Sequence, residues 1–236
     1  MPASVLEVVA RAFAGAGIDL ASLGHAWLRL LPIVVLVPAF GLRALPGAAR
    51  AVLGLAFATA IAPALGIVAA GPGAWLEDLV HGLSVATAAA VPLWAATMTG
   101  GLIDTLRGAP QSGSAPVVEG RASALGVPLS ILASALFLAS GGPARAVAAV
   151  ARPSLDASPV LRAAHDLTEG VTLAVALGAP VLLASVVVEV GLALIARTAT
   201  PASSNVLVAP VRSIAILVIL GLSVDRMAEA LALVLR

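Results

Sequence analysis

One acidic side chain, Glu189, stands well inside a long apolar stretch that runs from Val171 to Ile195. A carboxylate in such a stretch is costly unless it faces protein, water or a cation, so Glu189 could be a proton or ion site. It could instead pair with an arginine or cap a helix break. We favour this second, structural role, because single acids in membrane helices also serve as packing devices.

Two further pairs have helical spacing. Asp104 and Arg107 are three residues apart at the end of an apolar stretch, where a helix would bring them to one face. Interfacial anchoring is their simplest role. His165 and Glu169 are four apart in a polar region, where a solvated turn of helix is the simplest interpretation. The three histidines are far apart and there is no cysteine, so we predict no metal site.

Catalytic motifs are missing from the sequence. It has no G-x-S-x-G, H-E-x-x-H or G-x-x-x-x-G-K-[ST] pattern, and every basic residue is an arginine. The formal net charge is +1 and no basic run occurs, which argues against a nucleic-acid surface. We therefore predict a protein that is not an enzyme, binds no nucleic acid and carries no cofactor.

Composition places these residues in a membrane. The chain is 61% hydrophobic with a mean hydropathy of +1.10, and 11% of it is charged, against about 25% in soluble domains. A spanning helix needs about 20 apolar residues. The runs Ala51 to Leu76, Leu79 to Ile103 and Ala122 to Ala144 meet that length, with His81 as their one ionisable group. We predict an all-α integral membrane fold with these three spans.

Prolines interrupt the apolar segments repeatedly. Pro32, Pro38 and Pro46 divide the stretch after Arg29, so we expect it to pack against protein rather than to span lipid directly. Pro63 and Pro92 predict kinks in the next two runs. With Val171 to Ile195 and Val211 to Leu235, we expect about five to seven kinked or broken apolar segments, the last two forming a C-terminal hairpin.

Polar regions separate the segments. Residues Asp104 to Gly126 are rich in Gly, Pro and Ser, which predicts a loop. Arg145 to Gly170 is polar and contains two prolines expected to break any long helix, so it should divide two hydrophobic halves. In the C-terminal hairpin, turn-forming residues predict the connection. They are Pro201, Ser203, Ser204 and Asn205.

The string VPAFGLRALPGAARAVLGLAFATAIAPAL, Val37 to Leu65, has the pattern proline, basic turn, second proline, basic residue and long apolar helix. It resembles the export-gate family of type III secretion, specifically the R-type subunit of flagellar biosynthesis and its virulence-system T-type counterpart (the FliR/SctT family). Four positions match the family's segment. They are Pro38, Arg43, Pro46 and Arg50.

Later segments are similar to the same family in the same order. The stretch EDLVHGLSVATAAAVPLWAATMTGGLIDTLRG is similar to its kinked helix with a Gly-x-x-Asp ending, and a Gly-Gly element and an Arg…Pro…Asn segment follow. In the last segment Ala202 replaces the family's glutamine, and one extra residue precedes Asn205. The matching positions are Glu77, Gly82, Gly100, Gly101, Asp104, Gly108, Gly141, Gly142, Arg197, Pro201 and Asn205.

The resemblance implies a non-enzymatic, multi-pass subunit of an export gate in the bacterial inner membrane, in protein secretion or flagellum biogenesis. Its expected partners are P-type (virulence R-type) and Q-type (virulence S-type) membrane subunits and the switch/autoprotease export subunit, with unfolded secreted proteins as substrates. It also implies one membrane-associated domain in which residues 1–150 resemble a P-type subunit and residues 165–236 a Q-type hairpin.

The resemblance further implies a role for the Gly/Ser/Pro-rich loop from Arg107 to Gly126, which corresponds in position to a loop that helps close the resting gate. A pore plug and an ordinary linker are the two alternatives, and we expect the plug. Its expected residues are Arg107, Gly108, Gln111, Ser112, Gly113, Ser114 and Glu119.

A secondary transporter or small channel is the alternative function. In it Glu189 would be the ion-linked site, with Pro180 breaking its helix. Such proteins are commonly built from inverted repeats. The two hydrophobic halves differ in length and pattern, which favours the export gate.

Overall fold

A computed structural model shows a helical chain, and it describes residues 5–15, 17, 19–40, 46–65, 73–108, 123–152, 158–198 and 201–235. This part of the chain contains helices and turns but no strand, which confirms the predicted all-α class. The helices are α1 (Val5–Gly15), α2 (Leu20–Leu36), α3 (Gly47–Leu65), α4 (Ala74–Leu106), α5 (Gly126–Ala139), α6 (Gly142–Ala151), α7 (Pro159–Thr198) and α8 (Pro201–Val234).

Two compact units make up the chain. Unit 1 comprises Met1–Ala90 with Gly141–Leu167, and unit 2 comprises Val91–Ser140 with Thr168–Arg236. Both α4 and α7 contribute residues to each unit. The boundary between the units falls after Ala90 in α4 and after Leu167 in α7. The predicted likeness of 1–150 and 165–236 to two kinds of partner subunit stays a prediction.

Unit 1 is organised around α2. The Asp19 carboxylate caps this helix by accepting a hydrogen bond from the Ser22 amide at 3.1 Å. Trp27 Nε1 donates to the carbonyl of Ala51 at 3.4 Å and so joins α2 to α3. The apolar side of α2 is buried, as predicted for a segment that packs against protein, and it includes Leu30, Ile33 and Val34.

Unit 2 has a core to which three helices contribute. Ile103 of α4, Val181 of α7 and Ile216 of α8 are fully buried together. The Thr99 hydroxyl on α4 lies within hydrogen-bonding distance of two carbonyls, that of Ala95 on the same helix at 2.8 Å and that of Ala174 on α7 at 2.9 Å. A polar contact of this kind adds to apolar packing where two apolar helices meet.

Within the described part of the chain, three helices are long and apolar enough to cross a membrane: Ala74–Leu106, Pro159–Arg197 and Val208–Val234. They confirm the runs predicted at Leu79 to Ile103, Val171 to Ile195 and Val211 to Leu235. The broken pair α5 and α6 would provide a fourth span, and α2 and α3 are shorter apolar helices.

The predicted spans at Ala51 to Leu76 and Ala122 to Ala144 are wrong as continuous helices. In the first, α3 ends at Leu65, α4 begins at Ala74 after a turn at Gly73, and residues 66–72 lie outside the described part of the chain. In the second, Gly141 has a φ of 74°, a left-handed conformation that glycine adopts without steric cost and that separates α5 from α6.

The predicted turn chemistry at Ser203, Ser204 and Asn205 is also wrong, because these residues lie in the first turns of α8. Pro201 begins that helix, since a proline at the first helical position loses no hydrogen bond. Pro159 begins α7, and the polar region is divided between α6, which ends at Ala151, and α7. The break in the polar region therefore lies before Pro159, and α7 continues through Gly170.

Candidate functional site

A single buried carboxylate joins the two sides of the predicted plug loop. Asp104, near the end of α4, is 1% exposed. Its Oδ1 accepts hydrogen bonds from Arg107, with Nε at 2.8 Å and Nη2 at 2.7 Å. Its Oδ2 accepts the backbone N–H of Leu125 at 2.8 Å. We call Asp104, Arg107 and Leu125 the loop clamp.

Glycines let the backbones meet beside the clamp. A Cβ placed on Gly100 would lie 2.4 Å from Gly126 Cα, which is too close for any side chain at the present spacing. One residue away, a Cβ on Gly101 would have its nearest neighbour at 3.7 Å, the hydroxyl of Ser123. That hydroxyl accepts the Gly126 amide at 2.8 Å and orders the entry to α5. Gly100 is therefore the point of closest approach.

The clamp offsets the cost of burying a charge. A buried carboxylate is unfavourable unless it is paired and hydrogen-bonded, and hydrogen bonds to ionised groups are about twice as strong as neutral ones. Arg107 supplies the opposite charge, and the Leu125 amide satisfies the second oxygen. The predicted Asp104–Arg107 pair is thus present, but its carboxylate is buried and does more than anchor a helix end.

The structure describes two of the predicted plug residues, Arg107 and Gly108. Arg107 lies in the clamp, and Gly108 follows α4 with a φ of 72°. The remaining plug residues lie outside the described part of the chain. They are Gln111, Ser112, Gly113, Ser114 and Glu119.

The proline and arginine motif surrounds the connection from α2 to α3. Pro38 follows α2 in a turn, and Pro46 directly precedes α3 and accepts the Arg50 amide at 3.2 Å. Arg43 lies outside the described residues. The described residues of the motif therefore set where α3 begins.

Glu189 of α7 forms an ion pair with Arg212 of α8. Their side chains are 52% and 32% exposed, among exposed apolar residues such as Val186 and Val190. The arginine is the partner that a structural role requires. Pro201 and Asn205 lie at the start of α8, and their motif role stays a prediction.

Sequence analysis missed a polar cluster in unit 1, which we call the α2–α4 cluster: His25, Arg29 and Asp78. His25 Nδ1 contacts Asp78 Oδ2, while Arg29 Nε donates to Asp78 Oδ1 at 2.5 Å. His25 and Asp78 are buried. The available signal was the spacing of His25 and Arg29, four residues apart on one helix, combined with an acid at the start of an apolar helix.

Among the described residues, no group of three His, Cys, Asp or Glu side chains could hold a metal ion. His165 and Glu169 lie on an exposed part of α7, consistent with a solvated turn of helix. The arrangement of charged side chains therefore points to helix connection and charge compensation, with the loop clamp the feature most closely tied to the predicted gate.

A family model described as "Bacterial export proteins, family 1" matches residues 20–235. No curated protein matches the chain. The family match covers α2 to α8 and includes the loop clamp, the α2–α4 cluster and the Glu189–Arg212 pair.

Proposed function

We propose that this chain, which belongs to the bacterial export proteins, family 1, is a structural channel subunit of a type III protein export gate. It would act in a flagellar or virulence system and pass unfolded proteins across the bacterial inner membrane. Its partners would be P-type and Q-type membrane subunits and the switch/autoprotease subunit. No enzymatic step is part of this proposal.

The observation that carries the proposal is the loop clamp. The Asp104 carboxylate accepts hydrogen bonds from Arg107, which precedes the 109–122 segment, and from the Leu125 amide, which follows it. One carboxylate therefore holds the residues at both ends of that segment. A segment with fixed ends can be displaced without unpacking the helices beside it. A passing polypeptide therefore needs to move only the segment.

A gate needs both a movable segment and helices that stay packed. It must block ions at rest and open for an unfolded polypeptide, which is much wider than an ion. A segment whose Gly-, Ser- and Pro-rich composition supports no sustained apolar face is displaced at lower cost than a packed helix. A packed helix would lose its core contacts. We propose that the loop from Arg107 to Gly126, whose two ends the clamp holds, is the plug, and the alternative is a simple linker.

The outer faces of α7 and α8 support assembly with other membrane subunits. Leu183, Val187 and Leu222 are each more than two-thirds exposed on helices long enough to cross a membrane. Exposed apolar surface of this extent marks contact with lipid or with other apolar helices. A gate built from several helical subunits would cover part of it.

The Glu189–Arg212 pair favours the export gate over an ion-linked transporter. A coupling-ion site needs a carboxylate available to the ion, whereas Arg212 already supplies the counter-charge for Glu189. The pair is therefore a means of joining α7 to α8 at a polar point in an apolar hairpin.

Native mass spectrometry tests the proposal. The tagged full chain is co-expressed with the P-type and Q-type subunits encoded near it, purified in detergent and weighed as an intact complex. We expect one copy of this chain among several copies of the partners. A stable monomer or homodimer that leaves co-expressed partners unbound would contradict the gate.

A further inference from the structure

The first turns of α4 carry an exposed apolar face that the gate described above does not use. Trp75, Leu76, Leu79 and Leu83 are all exposed there, although each side chain is large and apolar. Trp75, Leu79 and Leu83 are spaced by four residues and therefore lie along one side of the helix. Exposed apolar surface of this kind marks contact with lipid or with another protein.

The exposed side chains change in character along α4 in the order that a bilayer presents. A turn at Gly73 and the exposed Glu77 lie at the start of the helix, together with Trp75. Beyond them, the sequence from Leu79 to Ile103 contains no aspartate, glutamate, lysine or arginine. With a rise of about 1.5 Å per residue, Leu83 lies about 12 Å along the axis from Trp75, against a hydrocarbon half-thickness of about 15 Å.

Tryptophan suits the boundary at which this order changes. Its ring is apolar and its indole N–H is a hydrogen-bond donor, and tryptophans are enriched where hydrocarbon meets the lipid headgroups. A bilayer favours a carboxylate, then a tryptophan and then leucines, whereas an apolar helix of another subunit would fit leucines along the whole face. The helix is also long and apolar enough to cross the bilayer.

The α2–α4 cluster holds this end of α4 in place. Trp75 packs edge-on against the buried His25, with ring centroids 5.6 Å apart. His25 and Arg29 on α2 both contact Asp78, three residues after Trp75. The Trp75 ring is thus supported by α2 on one side, while 55% of the residue's surface stays exposed. A ring held in this way marks a fixed level along α4.

Helix α2 begins at the same end of unit 1 as α4. Along α2, His25 precedes Arg29, and their neighbours on α4 follow the same order: Trp75 meets His25, and a Cβ on Gly82 would collide with the Arg29 carbonyl. The two helices therefore run in the same direction here. Since α2 begins after the exposed Asp19 that caps it, an exposed carboxylate marks the start of both helices.

We propose that Trp75, Leu76, Leu79 and Leu83, which we call the Trp75 face, form a lipid-contacting surface. The Trp75 ring lies at the boundary between headgroups and hydrocarbon, and the three leucines lie in the hydrocarbon. The exposed carboxylates at the two helix starts lie in water. This assignment does not depend on the proposed export function, because it follows from one face of α4 and from the contacts of α4 with α2.

Spin labels test the depth of this face. The chain has no cysteine, so a single introduced cysteine can be labelled at a chosen position. Glu77→Cys, Leu79→Cys and Leu83→Cys are compared in the full chain, in nanodiscs of phosphatidylcholine and phosphatidylglycerol, by accessibility to oxygen and to a water-soluble nickel chelate. We expect the ratio of oxygen to nickel accessibility to rise from Glu77→Cys to Leu83→Cys, because oxygen concentrates in hydrocarbon. A ratio that does not rise would overturn the proposal.

The same labels distinguish lipid from a protein partner. They are measured again in the chain co-purified with the P-type and Q-type subunits. We expect Leu83→Cys to stay accessible to oxygen, whereas loss of accessibility to both reagents would make the face a subunit interface and overturn the proposal. If the chain binds no co-expressed subunit, the proposed function fails, and the measurement on the chain alone decides the lipid assignment.

Fluorescence quenching tests Trp75 itself without any cysteine. Lipids carrying bromine either near the headgroup end of the acyl chain or near its terminus quench tryptophans at those depths. The signal lost in Trp75→Phe isolates Trp75 from Trp27 and Trp94. We expect this component to be quenched most by bromine near the headgroups and to be unchanged in the control Trp94→Phe, a half-buried position. No quenching, or stronger quenching by bromine at the chain terminus, would overturn the assignment of Trp75 to the boundary.

Discussion

Asp104 on α4 accepts the backbone N–H of Leu125 at 2.8 Å, across 21 positions of sequence. The same carboxylate binds Arg107, so residues on both sides of the 109–122 segment share one buried charge. The contact makes the position of the segment's ends depend on a single side chain. It gives the proposed plug a fixed base.

Replacing Asp104 by Ala should therefore loosen the base of the plug. The change leaves the Leu125 amide without its acceptor and Arg107 without its counter-charge, at a cost of about 1–3 kcal/mol for the unsatisfied amide alone. We expect a lower thermal midpoint of the purified complex and a higher resting ion conductance in planar bilayers.

Asp225→Ala is the matched control, because Asp225 is an exposed acid on α8. Its midpoint and conductance should stay at the wild-type values. If Asp104→Ala conducts no more than this control while its midpoint falls, the clamp stabilises the fold without holding a plug.

Deleting Gln111 to Val118 should leave assembly intact and raise the resting leak, since the clamp residues at both ends remain. Native mass spectrometry checks the assembly, and bilayer conductance measures the leak. Replacing the same eight positions by alternating glycine and serine keeps the length of the loop and changes its sequence. This variant therefore distinguishes an effect of loop length from an effect of loop sequence. Unchanged conductance in the deletion would make the segment a linker.

Gly100→Ala should be destabilising, because its Cβ would lie 2.4 Å from Gly126 Cα and backbone cannot move aside as a flexible side chain can. Overpacking of this kind costs about 1–3 kcal/mol. Gly101→Ala is the control, with its nearest contact at 3.7 Å. The comparison is the thermal midpoint in detergent, and equal midpoints would show that α4 and α5 can separate without cost.

Glu189→Gln should affect export little, because the pair with Arg212 joins α7 to α8 and both side chains are partly solvent-exposed. The measurement is the amount of secreted substrate at equal levels of assembled complex. Arg212→Gln should behave in the same way if the pair acts as a unit. Complete loss of export with normal assembly in Glu189→Gln alone would support an ion-linked role.

The parts of the fold that the sequence predicts are those decided by local composition. The lengths of the runs around Pro92, Pro180 and in α8 are enough to predict long apolar helices, because lipid-spanning length is a property of consecutive residues. The break at Gly141 was harder to predict, since a glycine can either continue a helix or adopt positive φ.

The candidate site likewise has contacts that local sequence predicts and contacts that it does not. The Asp104–Arg107 pair follows from helical spacing, whereas the contact of Asp104 with Leu125 depends on where α5 lies beside α4. The same holds for His25 and Asp78, which are 53 residues apart. Long-range pairs of this kind leave no periodic signal in one sequence, and for His25 and Asp78 the hints are the His25–Arg29 spacing and the acid at the start of an apolar helix.

Asp78→Asn should destabilise unit 1 strongly, because Arg29 and His25 would lose the carboxylate that both contact. Removing one partner of a buried ion pair costs about 3–5 kcal/mol, since the remaining charge stays buried. Glu77→Gln, at the exposed neighbouring position, is the control and should be neutral. Hydrogen exchange of the α2 amides in the full chain localises the effect: we expect faster exchange in Asp78→Asn and wild-type rates in Glu77→Gln. Equal rates in the two variants would mean that apolar contacts alone hold α2 in place and that the cluster contributes nothing to the stability of unit 1.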